Sequence, residues 1–235
     1  MPDAPSSDAM TAGSVTIVGD AGDQIEAYLA RPEARGPRGV VVVIHHMPGY
    51  ARATKEITRR FAELGYDAIC PNLHWRDAPG VAPDDAAAAS RANGGVPDSR
   101  LVGDGAGAAA FLRSLPTSNG RGGVIGYCSG GRQSVLAACH LDLNAAVDCY
   151  GAFVTGEPPA GYPIRVTNLV DQLPGLRAPL LGLFGEQDGN PSPERVAELD
   201  QILTANGKDF TLHSYPEAGH GFFAVDRVSY RVAAA

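Results

Sequence analysis

Continuous apolar segments alternate along this chain with segments whose apolar positions recur at helical spacing. The continuous segments are rich in β-branched residues, which is typical of strands buried on both faces of a sheet. They cover residues 39–46, 66–73, 122–128, 145–151 and 178–188, and residues 208–223 add a last strand and a long loop. The helical segments cover residues 54–65, 98–115, 131–141 and 192–207. This alternation predicts an α/β fold with a doubly wound, mostly parallel sheet and helices on both faces.

The start of the chain departs from this alternation. Residues 14–20 and 25–31 are joined by a turn-rich segment, which predicts a β-hairpin. No internal segment has the composition of a linker, so we expect a flexible N-terminal tail over residues 1–13 and a single domain over residues 14–235. The Ala-rich residues 81–97 are the least regular internal segment, and they predict a surface excursion over the edge of the sheet.

Composition and charge exclude several kinds of function. Hydrophobic residues make up 44% of the chain and charged residues 19%, which describes a soluble globular protein with ample material for a core. The formal net charge is −7 and no basic run occurs, so we expect no nucleic-acid partner. The N-terminus has neither a cationic start nor an apolar core, and no segment is long enough to span a membrane. We therefore expect a cytoplasmic protein that is a monomer or a homodimer.

The four cysteines fall into two classes. None belongs to a CxxC pair or a secretory context, which favours reduced thiols, with disulfides as the alternative. Cys70, Cys139 and Cys149 lie inside predicted strands or a helix, so we interpret them as small buried hydrophobic residues. Cys128 differs, because it stands between glycines in GYCSGG (126–131), directly after a predicted strand.

Cys128, Asp188 and His220 each follow a predicted strand. The carboxyl ends of parallel strands meet at one edge of a sheet, and the chain order nucleophile, acid, histidine is that of the α/β-hydrolase triad. The glycines suit a sharp strand-to-helix turn, and the N-terminus of the following helix would favour the thiolate. His220 would take the thiol proton, and Asp188 would fix the imidazole tautomer and stabilise the imidazolium. By position, the backbone N–H groups of Met47 and Ser129 would form an oxyanion hole.

Two weaker patterns are interpreted as not functional. His45 and His46, with His74 or His220, could suggest a metal site, but adjacent side chains at a strand end point to opposite faces. We therefore expect no metal. The segment GDGAGA (103–108) loosely matches a dinucleotide fingerprint, yet it lies inside a predicted helix and follows no strand.

Taken together, the motifs resemble the dienelactone hydrolase (carboxymethylenebutenolidase-like) family of the α/β-hydrolase superfamily. The matching segments are VVVVIHHMPG (40–49), LGYDAICPNLHWR (64–76), SNGRGGVIGYCSGG (118–131), GEQD (185–188) and YPEAGHGFF (215–223). The resemblance implies an α/β-hydrolase fold and cofactor-free cleavage of a lactone or activated ester through an acyl-enzyme on Cys128. The type substrate of the family is dienelactone, which is opened to maleylacetate. The resemblance also implies that Arg76, beside Trp75, binds a substrate carboxylate; the alternative is that Arg76 forms a surface salt bridge.

Three departures from the family pattern bear on the substrate. His46 stands where founding members have a glutamate that interacts with the thiol, so we expect His46 either to influence the thiol or to line the substrate pocket. Ala224 replaces a second substrate-binding arginine. The sequence ends at residue 235, where the fold usually adds one more helix, so we expect the sheet face beneath that helix to be exposed, covered by a partner subunit, or covered by residues beyond this sequence. Two alternatives therefore stay open: a general carboxylesterase acting on neutral esters, and a non-catalytic ligand-binding protein with this fold.

Overall fold

The computed structural model describes residues 9–34, 36–47, 49–225 and 227–234. Eight strands and five α-helices occur in these ranges. The strands are β1 (Met10–Val18), β2 (Gln24–Pro32), β3 (Arg38–Ile44), β4 (Asp67–Pro71), β5 (Ser118–Tyr127), β6 (Ala145–Cys149), β7 (Leu180–Gly185) and β8 (Phe210–Tyr215). The helices are α1 (Arg52–Glu63), α2 (Pro83–Ala92), α3 (Asp98–Arg113), α4 (Ser129–His140) and α5 (Pro193–Ala205).

All eight strands form one sheet in the order β1-β2-β4-β3-β5-β6-β7-β8. The predicted hairpin is confirmed, because β1 and β2 pair antiparallel. Strand β2 also pairs antiparallel with β4, and the remaining neighbours are parallel. The predicted mostly parallel sheet is thereby confirmed, and the carboxyl ends of its central strands lie along one edge.

Apolar side chains pack against both faces of the sheet. On one face, Leu101 of α3, Leu136 of α4 and Leu203 of α5 lie buried in a single core cluster. On the other face, Phe61 of α1 packs against a second cluster that includes Phe222. Beyond α1 this second face has an open groove along β3, β5 and β6. Among the described residues that follow β8, the chain forms turns and no helix.

Two predicted segment boundaries need correction. The predicted tail over residues 1–13 is too long, because β1 begins at Met10; residues 1–8 lie outside the described ranges. The predicted excursion over residues 81–97 contains the helix α2. Pro83 stands at its first turn with acidic residues beside it, which suits a helix start, and an alanine run follows. The proline and the acidic residues thus indicate a helix start, but the segment has no large apolar residues to give a helical pattern.

The glycines of residues 103–108 serve helix packing. The turn between β1 and β2 rests directly on α3, so a Cβ at Gly107 would lie 1.9 Å from the carbonyl oxygen of Val18. Asp104 accepts a hydrogen bond from the backbone N–H of Asp20 at 2.8 Å. This close approach explains the dense glycines without any nucleotide.

Candidate active site

Cys128 occupies a strained turn between β5 and α4. Its backbone has φ 57° and ψ −121°, in the left-handed region that residues with a Cβ rarely adopt. The helix that follows is pressed onto the end of β3, because a Cβ at Gly130 would lie 2.4 Å from the carbonyl oxygen of Ile44. The flanking glycines therefore allow a sharp turn that presents the Cys128 thiol at the sheet edge.

Asp188 and His220 come together at the same edge. His220 Nδ1 lies 2.8 Å from Asp188 Oδ2, and Asp188 is buried. The second carboxylate oxygen accepts the backbone N–H of Asn190 at 2.8 Å. With both oxygens occupied, the carboxylate is held in one orientation and fixes the ring of His220.

The environment of His220 favours its charged form. Burial lowers the pKa of His220, but hydrogen bonds to Asp188 and Cys128, together with the negative charge of both partners, raise that pKa to about 10. The ring of Tyr150 packs edge-on against the imidazole at 5.1 Å between centroids. His220 is thus suited to take a proton from the thiol and to keep it while the sulfur is charged.

The two backbone segments predicted to form an oxyanion hole are close neighbours. Ser129 is the first residue of α4, where backbone N–H groups lack partners within the helix. Met47 lies in the loop after β3, and both residues line a cavity that opens at Cys128. Their role as oxyanion donors stays a prediction.

The sequence profile of the dienelactone hydrolase family matches residues 25–235, which include Cys128, Asp188 and His220. The chain belongs to this family.

Individual members of the family resemble the chain over most of its length. A protein of Escherichia coli K12, provisionally named carboxymethylenebutenolidase, is 37% identical over 97% of this chain and 83% of its own. The carboxymethylenebutenolidase of Pseudomonas putida is 28% identical over 96% of this chain and 92% of its own. A provisionally named dienelactone hydrolase from Klebsiella pneumoniae has a crystal structure that matches with a TM-score of 0.85 and 31% identity, over 97% of this chain and 94% of that one. The protein is therefore a dienelactone hydrolase-like hydrolase with the α/β-hydrolase fold.

Two cavities of this family member meet at Cys128. The first, of about 200 Å³, has mostly apolar walls and is called the apolar cavity; it is lined by His46, Ile57, Phe61, Tyr127, His220 and Phe223, among others. The charged Glu56, Arg60 and Arg227 also lie on its walls. The second, of about 210 Å³, is called the arginine cavity; its walls include Arg91, Arg132, Arg165, His74, Phe153 and Tyr162. Both cavities have mostly apolar walls, and the second differs from the first in having three arginines. A substrate at the thiol can therefore extend in two directions.

One of the three substrate-binding residues predicted from the sequence lines a cavity at Cys128. His46 lines the apolar cavity, and its Nδ1 lies 3.5 Å from Thr54 Oγ1. An influence of His46 on the thiol stays a prediction.

Arg76 and Trp75 need correction. The guanidinium of Arg76 makes two hydrogen bonds to Asp104, at 2.9 and 3.0 Å, and a third to Asp23 at 2.7 Å. Trp75 packs against the core cluster on the α3 face. Because two carboxylates already occupy the guanidinium, Arg76 braces the β1–β2 turn against α3 and is not available to a substrate.

Arginines that were not predicted line the arginine cavity instead. Arg132 is held there by Asp98, with two hydrogen bonds of 2.8 Å. Within the described ranges, neither Arg91 nor Arg165 forms an ion pair or a side-chain hydrogen bond. Arg91 lies on α2, which was not recognised as a helix, and Arg165 lies in the irregular segment after β6. No local sequence pattern identifies Arg91 or Arg165 as a residue that lines a cavity.

The other cysteines are structural, as predicted. Cys70, Cys139 and Cys149 are buried, and all four cysteines are free. Burial raises the pKa of Cys139 to about 11 and raises the pKa of Cys149 well above its usual value. Cys128 is half-buried and lines both cavities, so it is the thiol open to reagents.

His45 and His74 form a buried pair in the wall of the arginine cavity, with ring centroids 4.8 Å apart. Burial lowers the pKa of His45 to about 3 and that of His74 to about 4, so both rings are neutral. The described ranges contain no group of three or more histidine, cysteine or acidic side chains arranged to hold a metal ion. Nor is any described helix long and apolar enough to cross a membrane.

Asp148, at the end of β6, is expected to make stability depend on pH. Its Oδ1 accepts the Gly151 N–H at 2.7 Å, its Oδ2 has no partner, and burial raises its pKa to about 7. Because the unfolded carboxyl ionises at lower pH, stability contributed by the protonated form is lost as pH rises towards 7. The free energy of unfolding of Asp148→Asn, relative to that of wild type, should therefore increase by on the order of 4 kcal/mol between pH 4 and pH 8.

Urea unfolding of both proteins across this pH range measures the difference. The exposed Asp142→Asn is the matched control, and it should differ from wild type by a constant amount. A difference between Asp148→Asn and wild type that does not change with pH would contradict the prediction.

Proposed function

We propose that this protein hydrolyses a lactone or activated ester through a thioester on Cys128. The observation that supports the proposal most directly is the position of the His220 ring between Asp188 and Cys128. Nδ1 is engaged by Asp188, so Nε2 is the ring nitrogen available to the thiol. An imidazole so oriented can move a proton to and from the sulfur and the reacting oxygens.

The first half of the reaction makes the acyl-enzyme. His220 takes the thiol proton, and the sulfur of Cys128 attacks the carbonyl carbon, which forms a C–S bond and leaves an oxyanion. The N–H groups of Met47 and Ser129 would stabilise that oxyanion. When the C=O bond re-forms, the bond to the leaving oxygen breaks, and the His220 imidazolium protonates that oxygen.

The second half releases the acid. His220 takes a proton from water, the resulting hydroxide attacks the thioester carbon, and collapse of the second oxyanion breaks the C–S bond. The acid leaves, and the proton on His220 pairs with the restored thiolate. Asp188 stabilises the imidazolium in both halves. For a lactone, the leaving alcohol and the acid are two ends of one product.

The two cavities suit the two sides of the ester. The leaving oxygen must lie next to His220, which lines the apolar cavity. The acyl side then extends past Ser129 into the arginine cavity. Because Arg91 and Arg165 line that cavity without an ion pair to any described residue, this assignment favours a substrate with an anionic group on its acyl side.

Trapping the acyl-enzyme tests the proposal. A p-nitrophenyl ester mixed with excess enzyme and quenched in acid should leave one acyl group per chain, on the peptide that contains Cys128. Mass spectrometry of the digest locates it. Turnover without any acyl adduct, or with an adduct on another residue, would reject a Cys128 thioester.

The free arginines are expected to select for a carboxylate. The Arg165→Gln and Arg91→Gln variants should each lower kcat/KM about tenfold or more for an ester with a carboxylate on its acyl side, because a charged hydrogen bond is lost. Activity on a neutral ester of the same shape should change less than about twofold. The exposed Arg177→Gln is the matched control. Equal losses on both esters would favour the neutral carboxylesterase alternative.

A further inference from the structure

We propose that His45 is a positioning residue of the oxyanion hole, which holds the His46–Met47 peptide so that the Met47 N–H faces the reacting carbonyl. This inference rests on the proposed function, because it assigns the Met47 N–H the role of oxyanion donor. His45 is buried in the wall of the arginine cavity, with 2% of its surface exposed, so its role is to position the loop and not to react.

The hydrogen bonds of His45 fix its tautomer. The backbone N–H of Leu73 lies 3.1 Å from Nε2, and a backbone N–H can only donate, so Nε2 must accept. The proton of the neutral ring is then on Nδ1, which lies 3.0 Å from the carbonyl oxygen of His46. His45 therefore donates to that carbonyl and links the loop after β3 to the segment after β4.

The surroundings keep the ring in this state. Burial, together with the neighbouring His74, lowers the pKa of His45 to about 3, so the ring stays neutral at the pH at which enzymes of this kind are assayed. The edge contact with His74 limits rotation of the ring. The loop above has little room to move, because a Cβ at Gly49 would lie 2.9 Å from the His74 ring.

The carbonyl that His45 binds belongs to the same peptide unit as the Met47 N–H. A trans peptide is planar, so its C=O and N–H point in opposite directions. Among the described residues, the cis peptide is Asn190–Pro191, so the His46–Met47 peptide is trans. With the carbonyl drawn to the buried ring, the N–H is turned to the opposite side, and Met47 lines both cavities at Cys128. The hydrogen bond thus sets the direction of the donor before the substrate arrives.

Two amide variants separate this role from general packing. In His45→Asn, the side-chain N–H₂ lies near the place of Nδ1 and can still donate to the His46 carbonyl. In His45→Gln, the amide lies near the place of Nε2 and keeps only the Leu73 contact. Both variants lose the ring, so loss of packing affects them alike.

We expect kcat for ester cleavage to fall about thirtyfold or more in His45→Gln, to fall less than about fivefold in His45→Asn, and KM to change little in either. Affinity for an aldehyde inhibitor, which forms an oxyanion on the thiol, should fall in parallel with kcat. Alkylation of Cys128 by iodoacetamide forms no oxyanion, so its rate should stay within about twofold of wild type in both variants. Equal kcat losses in the two variants, or an alkylation rate that falls with kcat, would overturn the proposal.

A measurement on the wild-type protein does not depend on either variant folding. Nitrogen NMR of histidine-labelled enzyme should show His45 protonated at Nδ1, with and without the aldehyde. Protonation at Nε2 would overturn the proposal. Failure of the proposed function would be a separate result from failure of the His45 proposal. The wild-type enzyme would then turn over without forming a thioester on Cys128, and that result does not depend on the tautomer of His45.

Discussion

Replacing Cys128 with alanine is expected to lower ester cleavage by about 10³-fold or more and to leave the fold intact. The large loss is expected because, in the proposed reaction, the sulfur forms the bond to the substrate, and removal of a triad nucleophile has effects of this order. The fold should persist because alanine keeps the Cβ and adds no atom to the strained turn. Steady-state kinetics on esters and lactones test the loss of activity, and circular dichroism of both proteins tests whether the fold is retained.

The Cys139→Ala variant is the matched control, because it makes the same chemical change at a buried position on α4. It should keep nearly full activity. One equivalent of an alkylating reagent should inactivate wild type and should modify Cys128. Residual activity above about a tenth of wild type in Cys128→Ala would contradict the role of nucleophile.

Replacing Gly126 with alanine is expected to prevent folding or to lower the free energy of unfolding by more than about 4 kcal/mol. A Cβ at this position would lie 1.8 Å from the carbonyl oxygen of Gly130 and 2.2 Å from its carbonyl carbon. Both atoms are backbone, so relief requires α4 to move away from β5, and that movement would displace Cys128 as well. Urea unfolding and the yield of soluble protein measure the effect.

Gly13→Ala in β1 is the matched control. A Cβ there meets nothing within 4 Å, and its effect on unfolding should be less than about 1 kcal/mol. A Gly126→Ala protein as stable as Gly13→Ala would show that the turn can relax, and it would contradict the strain described at Cys128.

The sheet, and the meeting of Cys128, Asp188 and His220 at one edge of it, could be predicted from the sequence because their signals are local. Most of the parallel strands are short apolar runs. Cys128, Asp188 and His220 each lie within a few residues of the end of one parallel strand, so the strand pattern brings them to one edge. The glycines around Cys128 are equally local, since the turn that needs them spans only a few residues.

The substrate-binding residues could not be predicted in this way. Whether an arginine meets a substrate or a carboxylate depends on which side chains lie across from it. Asp104 is 28 positions from Arg76 along the chain, and the residues next to Arg76 in sequence do not indicate its ion pair with Asp104. Arg91 depends in turn on α2, whose small alanines gave no apolar pattern. The substrate-binding residues were therefore not predictable where a side chain distant in sequence determines whether an arginine is free to bind substrate.

The backbone at Cys128 has a consequence for how sequence change can proceed at this position. A non-glycine residue in such a conformation costs about 1–3 kcal/mol, and glycine would relieve that cost. Glycine, which this backbone favours, has no thiol. With Cys128 in its proposed role of nucleophile, selection for stability and selection for turnover favour different amino acids at residue 128. Stabilising substitutions elsewhere in the chain would offset this cost, and the position can then keep its thiol only while activity itself is under selection.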